Sequence, residues 1–449
     1  MRARIEDLET RLGYSEHIFR SLTTETHASS VLRQLKDGAS TEKIYQYLAT
    51  RQPTGSEYSP RGQEDSEISS RFSETSSVPG SGRTLSNETL EVVNYPVSSW
   101  TKVTANTELV NQLHLLYFSW EHGVCSLFSK YHFIEDRDSG TPRYCSSLLV
   151  NAVAALGCKF ANRVEIQETF DGGEKFYLEA KRLWEATQDE TSITDIQATA
   201  LMSLWEASKG HHRKGAFYSR QALSMAIEGS FHTDEGHDAA SREVRSATFW
   251  GIFTLDQIWS LYSGCLPHLS RRGTFDIPSI VMDGQDKLDW VPFFDDGTRL
   301  KTRTTQTSNS RSIFRGTCEL SHVIYESLYT LYTPSRPVII EDVMGVYQQY
   351  LEWYESMLPV LKSGENSTPM AIFNHLLYHF GILLLFSPLI GLRIESNPVA
   401  PGEMCTEAAD SISALVRSYR ELYGLQRIHT FIPYISLVSS VTYLTIINT

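Results

Sequence analysis

From Trp100 onward, large apolar residues recur at intervals of three and four, the period at which one face of an α-helix comes round. Leu109, Leu113, Leu116 and Trp120 make one such stripe. Ile252, Leu255, Trp259 and Tyr262 make a second, and Val343, Val346, Tyr350, Tyr354 and Leu358 a third. Leu148 to Gly157 is nearly all small or apolar, as in a helix covered on every side. Strand-like alternation is scarce and no strand–turn–helix rhythm with glycine-rich turns occurs. The expected fold class is therefore all-α, with residues 100–449 forming one large multi-helix domain. Hydrophobic residues make up 41% of the 449, enough to fill its core.

One irregular insert, Arg271 to Arg315, is rich in Asp, Gly, Pro, Thr and Ser and separates two helical blocks. Within it, Asp289-Trp290-Val-Pro-Phe-Phe-Asp-Asp-Gly297 mixes aromatics with turn residues, so that part is expected to pack on the body.

The first hundred residues read differently. Ile5, Leu8, Leu12, Ser15, Phe19 and Leu22 are spaced 3-4-3-4-3 with Arg and Glu between them, a short heptad with one polar seam position. Residues 1–24 are expected to be a coiled-coil dimerisation helix, with Ile5, Leu8, Leu12, Phe19 and Leu22 as the seam of a homodimer. So short a helix needs a partner strand. A short helix near 41–49 carries Ile44, Tyr45 and Leu48. From Arg51 to Leu90, 21 of 40 residues are Ser, Thr, Pro or Gly, too little apolar surface to offset ordering entropy. Residues 25–99 therefore read as a flexible linker holding that one short helix.

Composition then narrows the function. The net charge is -13, with 53 acidic residues against 40 basic ones, and such a surface repels a phosphate backbone unless a local basic element intervenes. The basic residues Arg2, Arg4 and Arg11 alternate with Glu6, Asp7 and Glu9, while Lys209 to Lys214 and Arg271-Arg272 are small clusters. No DNA-reading residue is assigned. The charged start, Met1-Arg-Ala-Arg-Ile-Glu, is not a signal peptide. Ala371 to Leu392 lacks charge but holds Asn374, His375, His379, Ser387 and Pro388, so it reads as a buried core helix rather than a membrane span.

The sequence carries no convergent set of reactive residues. Phosphate-cradling glycine loops, Gly-X-Ser-X-Gly and His-Glu-X-X-His are missing from the sequence, and no catalytic residue is assigned. The six cysteines form no Cys-X2-Cys pair, so no metal ligand is assigned and buried small hydrophobes are expected. Cys265 is the most loop-like of them. His211 and His212 point to different helix faces. His375 and His379 share a face, and they are what an enzymatic reading would have to use. Asp295-Asp296-Gly297 reads as a turn that could touch a cation.

Several segments together resemble a known family. Ser241-Arg-Glu-Val-Arg-Ser-Ala-Thr-Phe249-Trp250-Gly-Ile-Phe253-Thr-Leu-Asp256-Gln-Ile-Trp259 through Gly264-Cys-Leu-Pro267 is similar to the central motif of the fungal-specific transcription factor domain. That domain is the middle homology region of fungal binuclear zinc cluster regulators. Gly210 to Ala226 resembles the helix before that motif. Leu109 to His122 and Leu149 to Cys158 resemble its opening helices, and Leu376 to Pro388 its later buried helix. Arg4 to Leu12 is similar to the coiled coil that follows the zinc cluster in these regulators. Two departures stand out: Gly264-Cys-Leu-Pro267 replaces the usual Gly-Arg-Pro, and Ser387 stands where Arg commonly precedes Pro388.

The resemblance implies a nuclear transcription regulator, not an enzyme, controlling metabolic or secondary-metabolite genes through the transcription machinery or co-regulators. No six closely spaced cysteines occur in the chain. Zinc and DNA contact are thus expected only through an upstream module, and this chain itself is expected to hold no cofactor and to have no membrane partner. The alternative is a dimerising interaction module that modulates full-length relatives without touching DNA.

Overall fold

Helix boundaries follow the capping chemistry of the sequence. The computed structural model describes residues 43, 46, 100–187, 192–232, 238–269, 287–297, 306–333, 337–391 and 400–447. The chain divides into two units, Met1–Thr89 and Leu90–Thr449. In the first, Lys43 and Gln46 are described, both helical; the expected seam residues Ile5, Leu8, Leu12, Phe19 and Leu22 lie outside the described residues.

The second unit is a succession of helices. Helix α1 (Thr107–Trp120) is capped by Asn106, whose side chain accepts from Leu109 N. A short α2 (His122–Cys125) and α3 (Lys130–Ser139) lead to α4 (Ser147–Lys159), capped by Ser146. Then come α5 (Val164–Phe170), α6 (Glu174–Glu185) and α7 (Ile193–Ser208), the last opened by a reciprocal capping box between Ser192 and Asp195. Helices α8 (His212–Glu228) and α9 (Ala239–Ser263) follow, and Gly264 ends α9 at φ 60, a left-handed turn natural to glycine.

Beyond the insert lie α10 (Ser310–Tyr332), α11 (Ile340–Ser356), α12 (Pro359–Lys362), α13 (Pro369–Phe386), α14 (Pro401–Tyr423) and α15 (Ile432–Ile447). The insert is shorter than the composition suggests, because α10 starts at Ser310 once Asn309, at φ 46, has turned the chain. Two short strands, β1 (Asp289–Trp290) and β2 (Gln306–Thr307), pair antiparallel within it.

All three apolar stripes face inward, with one exception. Leu113, Leu116, Trp120, Ile252, Leu255, Trp259, Val343, Val346 and Tyr350 are buried. Leu358 is 41% exposed: it precedes Pro359, which disfavours helical backbone at that position and ends the stripe at α11. Helix α4 is covered on all sides, every residue from Leu148 to Cys158 being buried. Its Gly157 allows a close crossing with α1, since a Cβ there would lie 2.1 Å from the Leu113 carbonyl oxygen. Gly251 does the same for α9, where a Cβ would meet the Cys125 carbonyl oxygen at 2.3 Å.

Helices α1, α4, α6, α7 and α8 form one half of the body and α10, α11, α13, α14 and α15 the other, with α9 between them. One hydrophobic core runs through both. Helix α13 is long and apolar enough to cross a membrane, yet most of its residues are buried against other helices. Its Asn374 bonds Thr317 and the Ile313 carbonyl, as a core amide must.

Candidate regulatory clamp

The most organised polar site in the second unit gathers four segments far apart in sequence. Helix α1 ends in Trp120 and Glu121, α4 in Lys159 and Phe160. The insert contributes Trp290 to Asp296, and the connection between α14 and α15 contributes Gln426 to Thr430. Gly424 makes that connection possible: at φ 76 it ends α14 and redirects the chain.

Arg427 is the centre of the clamp. Its side chain is 3% exposed, and Nη2 lies 2.7 Å from Asp295 Oδ1 and 3.1 Å from Asp296 Oδ2. Nε donates to the Phe160 carbonyl at 3.1 Å, across 267 residues of sequence. The Asp295 side chain has no exposed surface and accepts from the backbone N–H groups of Asn162 and Arg163 at 2.9 and 3.1 Å. The Asn162 amide reaches Asp296 and Gln426. A guanidinium so enclosed exchanges its hydration for a planar set of acceptors, which suits arginine and not lysine.

Aromatic rings close over this pair. The Arg427 guanidinium lies 4.9 Å from the Phe294 ring centroid and 5.9 Å from that of Trp120. Trp120 meets Phe294 edge-on at 5.2 Å, and Trp290 meets Tyr423 at 5.6 Å. The Trp120 indole N–H donates to the Phe293 carbonyl, and Phe293 N–H donates to Ser119 Oγ. The aromatic part of the insert thus packs on the body as its composition predicts. Asp295 and Asp296 do hold a cation, and it is the protein's own guanidinium.

A second charge group lies beside the first. The Glu121 carboxylate, 2% exposed, sits 3.1 Å from Lys159 Nζ and 3.2 Å from His429 Nε2. Lys159 Nζ also donates to Thr430 Oγ1 at 2.5 Å. Burial opposes ionisation of Glu121, but His429, Lys159 and Thr430 outweigh it and hold its pKa below the ordinary value. Burial pushes the His429 imidazole down to about 4 against the pull of Glu121, so it is neutral near pH 7. Phe431 N–H donates to Nδ1, which places the imidazole proton on Nε2, facing the carboxylate.

The other sequence candidates are dispersed. Cys125, Cys145, Cys158, Cys318 and Cys405 are buried, and burial pushes the Cys405 thiol up to about 12. Cys265 is half-buried, with Arg220 Nη2 at 3.9 Å from its sulfur and its thiol still raised by burial. His211 pairs with Glu206 at 2.6 Å, whereas His212 leans on the Tyr262 ring. His375 bonds the Leu361 carbonyl, and His379 lies edge-on to Tyr378, its pKa lowered by burial to about 4. Asn366, in an Asn-X-Ser/Thr match, is buried and donates to the Thr307 carbonyl.

No solved structure matches the chain. Among sequence families, the pattern described as "Fungal specific transcription factor domain" matches residues 115–356, more than half of the chain. The chain belongs to this family. The nitrogen assimilation transcription factor nit-4 of Neurospora crassa is 32% identical over 359 residues, covering 74% of this chain and 33% of nit-4. The nitrogen assimilation transcription factor nirA of Emericella nidulans is 30% identical over 363 residues, 76% of this chain and 40% of nirA. The cutinase transcription factor 1 alpha of Fusarium vanettenii is 25% identical over 41% of this chain and 22% of its own. The chain thus spans well under half the length of these relatives. The fungal-specific transcription factor domain match ends with α11, at Ser356. It takes in Trp120, Glu121, Lys159, Asp295 and Asp296 but not Arg427 or His429. The clamp therefore ties the family-defined region to the helices that follow it.

Proposed function

We propose that this chain carries the regulatory domain of a nuclear transcription regulator governing metabolic genes, with nitrogen assimilation the foremost candidate. The observation that carries this reading is the match to two nitrogen assimilation transcription factors, each over about three quarters of the chain. Physical features support it. An acidic surface suits contact with basic or apolar protein partners better than with nucleic acid. The domain then acts on transcription through co-regulators and performs no catalysis, and the clamp keeps its two halves in a fixed relation.

Disrupting the gene and sequencing transcripts before and after a change of nitrogen source tests this. A cluster of metabolic genes, nitrogen-utilisation genes among them, is expected to lose its response. A response identical to that of the intact strain would refute the assignment.

A further inference from the structure

Among the described residues of the second unit, one small part of the core stands apart. Ile313, Leu361 and Ala371 form a small buried cluster separate from the main one. Beside it opens a cavity of about 330 Å³, bounded by the first turns of α10, the end of α11, α12 and α13. That volume falls within the range of small-molecule sites. Its walls include Trp353, Met357 and Leu361, and its rim carries Arg315 and Glu319.

Gly316 keeps the space open. A Cβ at this position would meet nothing closer than Asn374 Nδ2 at 3.7 Å and Trp353 Cζ2 at 3.9 Å, so no close approach demands glycine. Mid-helix glycine weakens a helix relative to alanine, and here the missing side chain leaves room at the cavity wall. The polar groups of the wall are already engaged: the Trp353 indole donates to the Gly316 carbonyl, and Asn374 bonds Thr317 and Ile313. The interior accordingly suits an apolar body.

The rim offers two opposite charges side by side. Arg315 Nε and Glu319 Oε1 are 2.9 Å apart, with side chains 54% and 32% exposed. Such an exposed pair is weak and opens readily. A ligand carboxylate can then take the guanidinium while a ligand ammonium takes the carboxylate, each as a charge-assisted hydrogen bond. We propose that this cavity binds a small zwitterion with an apolar side chain, the chemistry of a free apolar amino acid.

Isothermal titration calorimetry of the 449-residue chain with leucine, methionine and phenylalanine tests this directly, without reference to transcription. At least one is expected to bind below about 1 mM, within the affinity open to so small a ligand. Its N-acetyl and methyl-ester forms, each lacking one charge, should bind about tenfold more weakly. Gly316→Leu should abolish binding by filling the cavity. Glu319→Gln, a surface change that leaves the core intact, should weaken the free amino acid to the level of its N-acetyl form. Absence of binding by all three amino acids, equal binding of the N-acetyl form, or unchanged binding by Glu319→Gln would overturn the proposal.

Discussion

Replacing Arg427 with alanine is expected to lower the unfolding free energy by about 3–5 kcal/mol, the range for removing one partner of a buried ion pair. The alanine would leave Asp295, which has no exposed side-chain surface, without its guanidinium. The Phe160 carbonyl would lose its donor as well. Asp295 keeps the N–H bonds from Asn162 and Arg163, which limits the loss. Arg427→Lys should recover only part of it, because one ammonium cannot reach Asp295, Asp296 and Phe160 together. Pairing Arg427→Ala with Asp295→Asn should cost less than the sum of the single changes, since the second removes the charge stranded by the first. Urea unfolding followed by circular dichroism at neutral pH checks all four variants. A loss below about 1 kcal/mol for Arg427→Ala would match a surface pair and would deny the clamp its role.

Acid should release the fold early. His429 is held neutral with its pKa pushed down to about 4, and His114 to about 3, chiefly by burial. Both groups take up a proton more readily in the unfolded chain, at the ordinary value of 6.5. Their contribution is thus complete above that value and is lost as pH falls from about 6.5 toward 4 and below. Each full shift corresponds to roughly 3–5 kcal/mol at most. Asp256 works the other way: burial raises it to about 6, so its contribution is present in acid and lost as pH rises from about 4 through 6. Burial lowers His122 to about 3 and His379 to about 4 as well, so these four histidines act together against one carboxylate, and His429 carries only a share of the slope. The melting temperature should therefore fall between pH 7 and pH 5, and His429→Asn should lessen that slope. A melting temperature constant over this interval, or a slope unaltered in His429→Asn, would contradict the assignment.

How much of this could be read beforehand depends on the distance over which each interaction acts. The helices were legible because their signal is local: the stripes at Leu109 to Trp120 and Ile252 to Tyr262 define their own buried faces. Helix α4 announced its burial through composition alone. The Leu358 misreading shows the limit, since a periodic residue beyond a Pro-imposed stop still looks like part of the stripe. The packing of the Trp290–Asp296 segment was visible in its mixture of rings and turn residues. Its partner was not. Arg427 stands in a stretch with no repeat, no motif and no second basic residue beside it. Only the fold brings it to Asp295, 132 residues away. Glu121 and Lys159 likewise read as ordinary helix-end charges until α1 and α4 cross and cover them.

A reporter assay on the tethered domain tests the central claim most directly. The 449-residue chain is fused to an unrelated DNA-binding domain and reporter transcription is measured in a fungal host under changing nitrogen supply. The intact fusion should shift transcription away from the level given by the DNA-binding domain alone, and Arg427→Ala, expressed to the same amount, should change that shift. Equal transcription from the fusion and from the bare DNA-binding domain, under every nitrogen source, would contradict a regulatory role for this helical body.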